Sequence, residues 1–225
     1  MKIFLMTTVF FLTFLQSNAQ EIRFDLGYNY LSAPEWDNAI QTYNFSRPFL
    51  ENNQPLLMHG LSTSGSYLFR SSSRMSHGVG LSYSYFRSAV KNKNLDVSLN
   101  LSLIKMSYIL HLKTSKKEPK CYFDLVVSSV AAGLFRSVEP YSPDDSEARA
   151  FGIGGEVAVK AGYIILLNGQ TKLSPFISLG YVPYFFSPDA EASLNQTKGL
   201  TSRRGTNMLT AQIGLAMSTS KESTR

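Results

Sequence analysis

The sequence lacks a second cysteine, and it lacks an apolar segment long enough to cross a membrane as a helix. The lone Cys121 excludes an intramolecular disulfide and leaves no thiol pair for redox chemistry or for a zinc site. The one long apolar run, residues 3–15, is shorter than the roughly 20 residues that a spanning helix requires. The whole chain has only three histidines, and the acidic group of Asp144, Asp145 and Glu147 has no histidine partner in the sequence, so we expect neither a metal ion nor a cofactor.

The first residues carry a targeting signal instead. Lys2 precedes the apolar run, and Ser17 and Ala19 put small residues at the two positions that a signal peptidase recognises. This pattern predicts a secretory signal peptide at residues 1–19. Residues 20–225 then form one domain, of a length that suits a single all-β fold.

Residues from 21 onward alternate between apolar and polar, which is the periodicity of β-strands. In the first stretch Ile22, Phe24 and Leu26 fall on one face, while Arg23 and Asp25 fall on the other. An even number of antiparallel strands is typical of single-chain bacterial barrels. We therefore predict an all-β, eight-stranded antiparallel up-and-down transmembrane β-barrel. Its strands are predicted at residues 22–32, 56–70, 77–88, 95–112, 121–136, 150–166, 172–186 and 207–219.

Two of these strands have irregular patterns. In the fourth, the apolar residues change parity after Leu103, which predicts a β-bulge at that point. In the seventh, Pro175 and Pro183 interrupt the ladder, because proline has no backbone N–H to donate.

The connections between strands differ in length on the two sides of the predicted barrel. With a periplasmic N-terminus, the outward links are residues 33–55, 89–94, 137–149 and 187–206, and the inward links are residues 71–76, 113–120 and 167–171. Three of the four outward links are longer than every inward link. Short periplasmic turns and longer extracellular loops are the asymmetry of outer-membrane barrels.

Alternation by itself does not say which face points inward. A water-soluble barrel such as a lipocalin, or a β-sandwich, also alternates, with its apolar face inside. The opposite face here mixes Ser and Gly with Arg, Asp, Glu and Lys, and small residues suit a crowded lumen better than an open surface. We favour the membrane barrel and keep the soluble ligand-binding barrel as an alternative.

On this alternation and loop asymmetry, the whole mature chain resembles the small outer-membrane barrels of the OmpA transmembrane-domain and OmpX type, and the PorT-like barrels. The resemblance implies a location in the outer membrane of a Gram-negative bacterium. It implies contact with outer-membrane lipid and lipopolysaccharide, and a monomer. The charge of +6 is scattered through turns and strands, so we expect no nucleic-acid partner.

Charged residues occur on the predicted lumen face with both signs. An eight-stranded barrel has a lumen that side chains roughly fill, so a general diffusion pore is not expected. An unpaired buried charge is costly, and we therefore predict that these residues pair into one salt-bridge network. The predicted network comprises Arg23, Asp25, Arg70, Asp96, Asp124, Arg136, Glu156 and Lys160.

The first outward loop is more apolar than a solvated loop needs to be. Such a loop should pack over the barrel mouth or contact a partner. We favour a plug, in which Arg47 reaches the acidic third loop. The residues predicted to pack or to contact a partner are Trp36, Tyr43, Phe45, Arg47 and Phe49.

The barrel enzymes that modify lipid A, which are deacylases and palmitoyltransferases, use His and Ser near the outer leaflet. Here His59 falls at the outer end of the second strand on the lipid side, whereas Ser62 and Ser64 point the other way. No catalytic residue is predicted, and we expect a non-enzymatic structural or surface-interaction protein. The alternatives are a component of an envelope assembly or secretion complex, a lipid-modifying barrel enzyme, and a soluble ligand-binding barrel.

Overall fold

A computed structural model describes residues 21–46, 52–70, 72, 74–92, 95–115, 120–139, 149–167, 170–183 and 207–220. The predicted signal peptide, residues 1–19, lies outside these ranges. One helix and nine strand segments are present in the described chain. They are β1 (Glu21–Ser32), α1 (Pro34–Phe45), β2 (His59–Arg70), β3 (Met75–Asn92), β4 (Leu95–Lys113), β5 (Cys121–Glu139), β6 (Arg149–Tyr163), β7 (Ile165–Leu166), β8 (Thr171–Val182) and β9 (Met208–Ser220).

The strands form one closed antiparallel barrel. Neighbours in sequence pair with each other, and β1 closes the ring by pairing with β9. The registers of β6 and β7 on β8 are continuous, so these two segments form one barrel strand and the barrel has eight strands. The predicted fold is therefore confirmed.

The registers also fix the shape of the barrel. Following the paired residues once around the ring returns to β1 ten residues further along, which is a shear of ten. With ordinary strand spacing and rise, this shear tilts the strands by about 40° from the barrel axis.

Pro175 explains the break between β6 and β7. The shared register places Tyr163 opposite Pro175, which has no N–H to donate to that neighbour. Beside the break, the Ile164 N–H donates to the Lys120 carbonyl at 2.7 Å. The second predicted interruption marks a strand end, since β8 stops at Val182, just before Pro183.

The two ends of the barrel differ. At one end, which we call the helix end, β1 runs into α1. At the other, which we call the turn end, short connections of residues 71–74, 114–120 and 167–170 join the strands.

The outside of the barrel is apolar and the inside is largely polar. Ionisable residues such as Arg23, Asp25 and Asp124 are buried within the barrel, whereas many large apolar side chains point away from it. A water-soluble barrel has the reverse arrangement, and only hydrocarbon suits such an outer surface. Strongly exposed members of this apolar belt include Phe24, Leu26, Leu61, Met106, Phe151, Ile153, Ile177, Leu179 and Ile213.

Helix α1 lies within a segment that the sequence analysis predicted to be a loop. Pro34 stands at the start of the helix, and Glu35 and Asp37 put negative charge in its first turn, where the helix dipole favours it. Partial burial raises the pKa of the Asp37 carboxyl above its ordinary value. No helix among the described residues is long and apolar enough to cross a membrane.

The predicted β-bulge at Leu103 is wrong. The pairing of β4 with β3 and with β5 runs through Leu103 without a change of register. The parity of the sequence changes because Leu99, Leu101 and Leu103 point into the barrel, where they are completely buried, while Ile104 and later even-numbered residues face the membrane. The inward face of β4 is therefore apolar near the helix end, and its outward face is apolar nearer the turn end.

Candidate functional site: the barrel lumen

The half of the lumen near the helix end is filled by apolar side chains, which we call the apolar seal. Trp36, Ile40 and Tyr43 of α1 follow one another at intervals of four and three residues, so they lie on one face of the helix and point down into the barrel. Trp36 is 1% exposed and Ile40 is 0% exposed. The other members of the seal are Leu31, Ala33, Leu57, Phe86, Leu99, Leu101, Leu103, Val130, Ala132, Leu134, Val182 and Met208.

Polar contacts connect α1 to the segment that follows it. The Asn44 amide donates to the Gln54 carbonyl at 2.9 Å, and the Gln54 N–H donates back to Asn44 Oδ1 at 2.8 Å. The buried Gln54 side chain in turn donates to Ser88 Oγ on β3 at 2.6 Å. On the solvent side of the same helix, Phe45 is 88% exposed.

The half of the lumen near the turn end contains a buried ionic cluster, which we call the charged cluster. Arg23 Nη2 lies 2.8 Å from Asp124 Oδ2, and Arg23 Nε lies 3.6 Å from Asp25 Oδ1. Lys160 forms an ion pair with the second oxygen of Asp25, and His111 Nδ1 lies 2.6 Å from Asp124 Oδ1. These five side chains are nearly inaccessible to solvent, so Arg23, Lys160 and the two carboxylates depend on one another for charge compensation.

Two smaller ionic groups flank the charged cluster. Lys105 Nζ lies 2.6 Å from Glu156 Oε1, which also accepts a hydrogen bond from Thr210. At the turn end, Glu21 accepts from Lys113 at 3.1 Å and from Lys172 at 3.4 Å. Without His111, the charged cluster and these two groups together contain five cations and four carboxylates among the described lumen residues.

A cavity of about 90 Å³ lies between the seal and the charged cluster. Its wall includes Phe86 and Leu103 of the seal and Arg23 and Lys160 of the cluster, together with serines from several strands. Ser66, a residue of this wall, has a hydroxyl oxygen without a hydrogen-bond partner among the described residues. The cavity has room for several water molecules, each of which needs about 10–15 Å³ by this measure.

The structure places the predicted lumen charges in three ways. Arg23, Asp25, Asp124, Glu156 and Lys160 are buried inside the barrel. Asp96 does not join them. It follows the opposite parity from the buried Val97, and its carboxylate is 40% exposed and 3.9 Å from Lys91. The side chains of Arg70 and Arg136 lie outside the described residues.

The five residues of the first outward loop that we predicted to pack or to contact a partner also differ in their positions. Trp36 and Tyr43 are buried in the apolar seal, whereas Phe45 faces solvent. Arg47 and Phe49 lie outside the described residues, so the predicted contact between Arg47 and the third loop stays a prediction.

Sequence reasoning missed several members of the lumen. They are Glu21, Lys105, His111, Lys113, Tyr122 and Lys172. Parity could have identified Lys105 and His111, because they alternate with the lipid-facing residues that follow Leu103. Parity could also have identified Tyr122, which shares the parity of Asp124. The guanidinium of Arg23 lies 5.5 Å from the centre of the Tyr122 ring.

The geometry around His59 is not that of a Ser–His hydrolase. His59 Nδ1 lies 2.7 Å from the Tyr28 hydroxyl on the outer surface. Ser62 and Ser64 point into the barrel, where the Ser64 hydroxyl donates to Asp25 at 2.9 Å. Within the described ranges, no group of three or more His, Cys, Asp or Glu side chains is arranged to hold a metal ion.

Comparison with known proteins supports the architecture alone. No protein-family model and no curated protein matches this sequence. The solved structure of Ail, the attachment invasion locus protein of Yersinia pestis, in complex with the heparin analogue sucrose octasulfate, matches with a TM-score of 0.51 and 8% identity, over 88% of this chain and 97% of that one. Neisserial surface protein A (NspA) matches with a TM-score of 0.46 and 10% identity, over 89% and 96% of the two chains. The chain thus has the fold of a small outer-membrane barrel, as predicted. This fold, together with the apolar belt of the barrel, agrees with the predicted location in the outer membrane.

Proposed function

We propose that the protein is a non-conducting, non-enzymatic barrel of the outer membrane, which acts through the surface that it presents at the helix end. The observation that carries the proposal is the apolar seal. Trp36 and Ile40 are buried in the mouth of the barrel, and Leu99, Leu101 and Leu103 are completely buried just below them. An ion crossing this layer would lose its hydration without gaining a polar partner, which is prohibitively costly.

The topology of the proposal follows from the connections. Residues 1–19 direct secretion, the turn end faces the periplasm, and α1 and the long connections face outward. The membrane lipids and lipopolysaccharide are the partners of the apolar belt and its borders. We assign the charged cluster a structural role, because its cations and carboxylates form ion pairs with one another inside the lumen.

Conductance across planar bilayers tests this function. Purified, heat-modifiable protein is expected to produce no channel openings, while a 16-stranded porin in the same bilayers provides the positive control. Reproducible openings by the wild-type protein would contradict the proposal, since they would require an aqueous path through the seal.

A test for lipid-modifying activity uses the histidine on the outer surface. His59→Ala removes the one described histidine near the helix end of the membrane-facing surface. We expect cells that carry this variant to have the same lipid A acylation as cells with the wild-type protein. A change in acylation that depends on His59 would revive the enzyme alternative.

A component of an envelope assembly complex is the second candidate, and the exposed ring of Phe45 favours it. A phenyl ring that is 88% exposed on a helix facing outward is a suitable anchor for another protein. Co-purification in mild detergent should then depend on this residue, so Phe45→Ser should lose a partner that the wild type retains. A single unaccompanied band from wild-type cells would count against this candidate.

A further inference from the structure

We propose that a polar row on the outer surface, which contains one arginine, binds a phosphate group of an outer-leaflet glycolipid. The row consists of Tyr30, His59, Arg87 and Asn100, one residue from each of the strands β1 to β4. Tyr30 pairs with His59, and Arg87 pairs with Asn100. Arg87 stands next to His59, one residue beyond the paired Gly60 and Phe86. The inference rests on the proposed outward orientation of the helix end.

The row lies where the outer surface changes from apolar to polar. On β3 the outward residues run Val79, Leu81, Tyr83 and Tyr85, and the next outward residue is the exposed Arg87. The same change occurs from Leu61 to His59 on β2 and from Ile104 to Ser102 on β4. On these three adjacent strands the outward face therefore changes from apolar to polar within one residue pair of the same level, as expected near lipid headgroups.

Arg87 is exposed on the outer surface of β3. Among the described residues, no carboxylate lies within ion-pair distance of its guanidinium, and the neighbouring Asn100 already accepts a hydrogen bond from Tyr85 at 2.7 Å. An arginine fork matches the geometry of a phosphate, with which it forms paired hydrogen bonds.

His59 is held in place for the same role. Its ring stacks on Tyr28, with 5.8 Å between the ring centres, and meets the ring of Tyr30 edge-on at 5.9 Å. When the Tyr28 hydroxyl donates to Nδ1, the ring proton is on Nε2, where it can donate to an anionic oxygen.

The surface below the row indicates that the ligand is a lipid. Leu61, the outward residue next to His59 on β2, is 64% exposed on the lipid side, and Leu81, which lies below Tyr85 and Tyr83 on β3, is 58% exposed. A lipid whose phosphate binds the row and whose acyl chains lie along these leucines would contact both the polar row and the apolar surface below it. A free phosphate would use only the upper part.

Arg87→Ala tests the proposal against a matched control. The full barrel is purified in detergent, and binding of diphosphorylated lipid A is titrated by native mass spectrometry. We expect Arg87→Ala to weaken binding about five-fold, as one cation near an anionic headgroup contributes, and His59→Ala/Arg87→Ala to weaken it further. Arg74→Ala, which removes the exposed arginine at the turn end beside the start of the same strand, should leave binding unchanged.

Two further probes separate the sources of the phosphate. Lipid A without its phosphates should bind the wild-type protein and the Arg87→Ala variant equally weakly. Millimolar inorganic phosphate should not displace intact lipid A from the wild-type protein. Equal binding by the Arg87→Ala and Arg74→Ala variants, or displacement by inorganic phosphate, would overturn the proposal. If the variants also show the gel-mobility shift of a folded barrel and no channel openings, the proposed function stands while the lipid site fails.

Discussion

Replacing Asp124 with alanine should remove much of the stability that the charged cluster contributes. The Asp124 carboxylate is fully buried, 2.8 Å from Arg23 and 2.6 Å from His111. Removing one partner of a buried ion pair costs roughly 3–5 kcal/mol, because the other charge stays in a poorly solvated site. Arg23 retains Asp25 at 3.6 Å, which places the expected loss at the lower end, about 3 kcal/mol, or roughly a hundred-fold in the unfolding equilibrium.

Urea unfolding of the protein in lipid vesicles measures this loss, with the gel mobility of the folded barrel as the signal. Asp96→Ala is the matched control, because this aspartate is 40% exposed and 3.9 Å from Lys91, a geometry that contributes at most about 1 kcal/mol. The double variant Arg23→Met/Asp124→Leu should be more stable than Asp124→Ala, since it leaves no unpaired charge on Arg23. Equal, small losses for Asp124→Ala and Asp96→Ala would refute the reasoning.

Three other predictions concern the seal, the belt and the strand contacts. Trp36→Ala should speed hydrogen exchange of α1 while the strands stay protected, whereas Phe45→Ala, at an exposed position, should not; equal exchange rates would contradict the packing of α1. Val127→Arg, on the apolar belt, should lower folding stability in vesicles by about 2–4 kcal/mol relative to Val127→Leu, and similar folding yields would argue against a lipid-facing position. Gly78→Ala should destabilise the barrel by about 1–3 kcal/mol, because its Cβ would collide with the backbone oxygen of Tyr67. Gly65→Ala, whose Cβ would be 3.6 Å from the Phe24 ring, should be nearly neutral in the same unfolding assay.

Alternation predicted the strands, and together with the loop asymmetry and the polar opposite face it predicted the membrane barrel. The structure begins β1 at Glu21 and β4 at Leu95, within one residue of the predictions, because the two faces of these strands meet different solvents. The same parity placed Arg23, Asp25 and Asp124 inside the barrel.

Alternation failed where the lumen itself is apolar. Leu99, Leu101 and Leu103 look like lipid-facing residues in the sequence, yet they are completely buried beneath α1. Their environment depends on a helix more than fifty residues earlier in the chain, which no local pattern of β4 can reveal. The spacing of Trp36, Ile40 and Tyr43, together with Pro34, was the local signal for that helix.

Asp96 shows a related limit of sequence reasoning. Its charge and its place in a strand suggested a lumen residue, but its parity follows the outward face of β4. The predicted bulge exchanged the inward and outward faces that we assigned to the part of β4 before Leu103. The continuous register through Leu103 corrects both predictions together.

Heat-modifiability after membrane fractionation tests the central claim most directly. The account predicts that the protein is extracted from the outer membrane only with detergent, and that boiled and unboiled samples differ in gel mobility, as a closed barrel inserted through its apolar belt requires. Protein that is recovered from the periplasm without detergent and shows no mobility shift would contradict the claim.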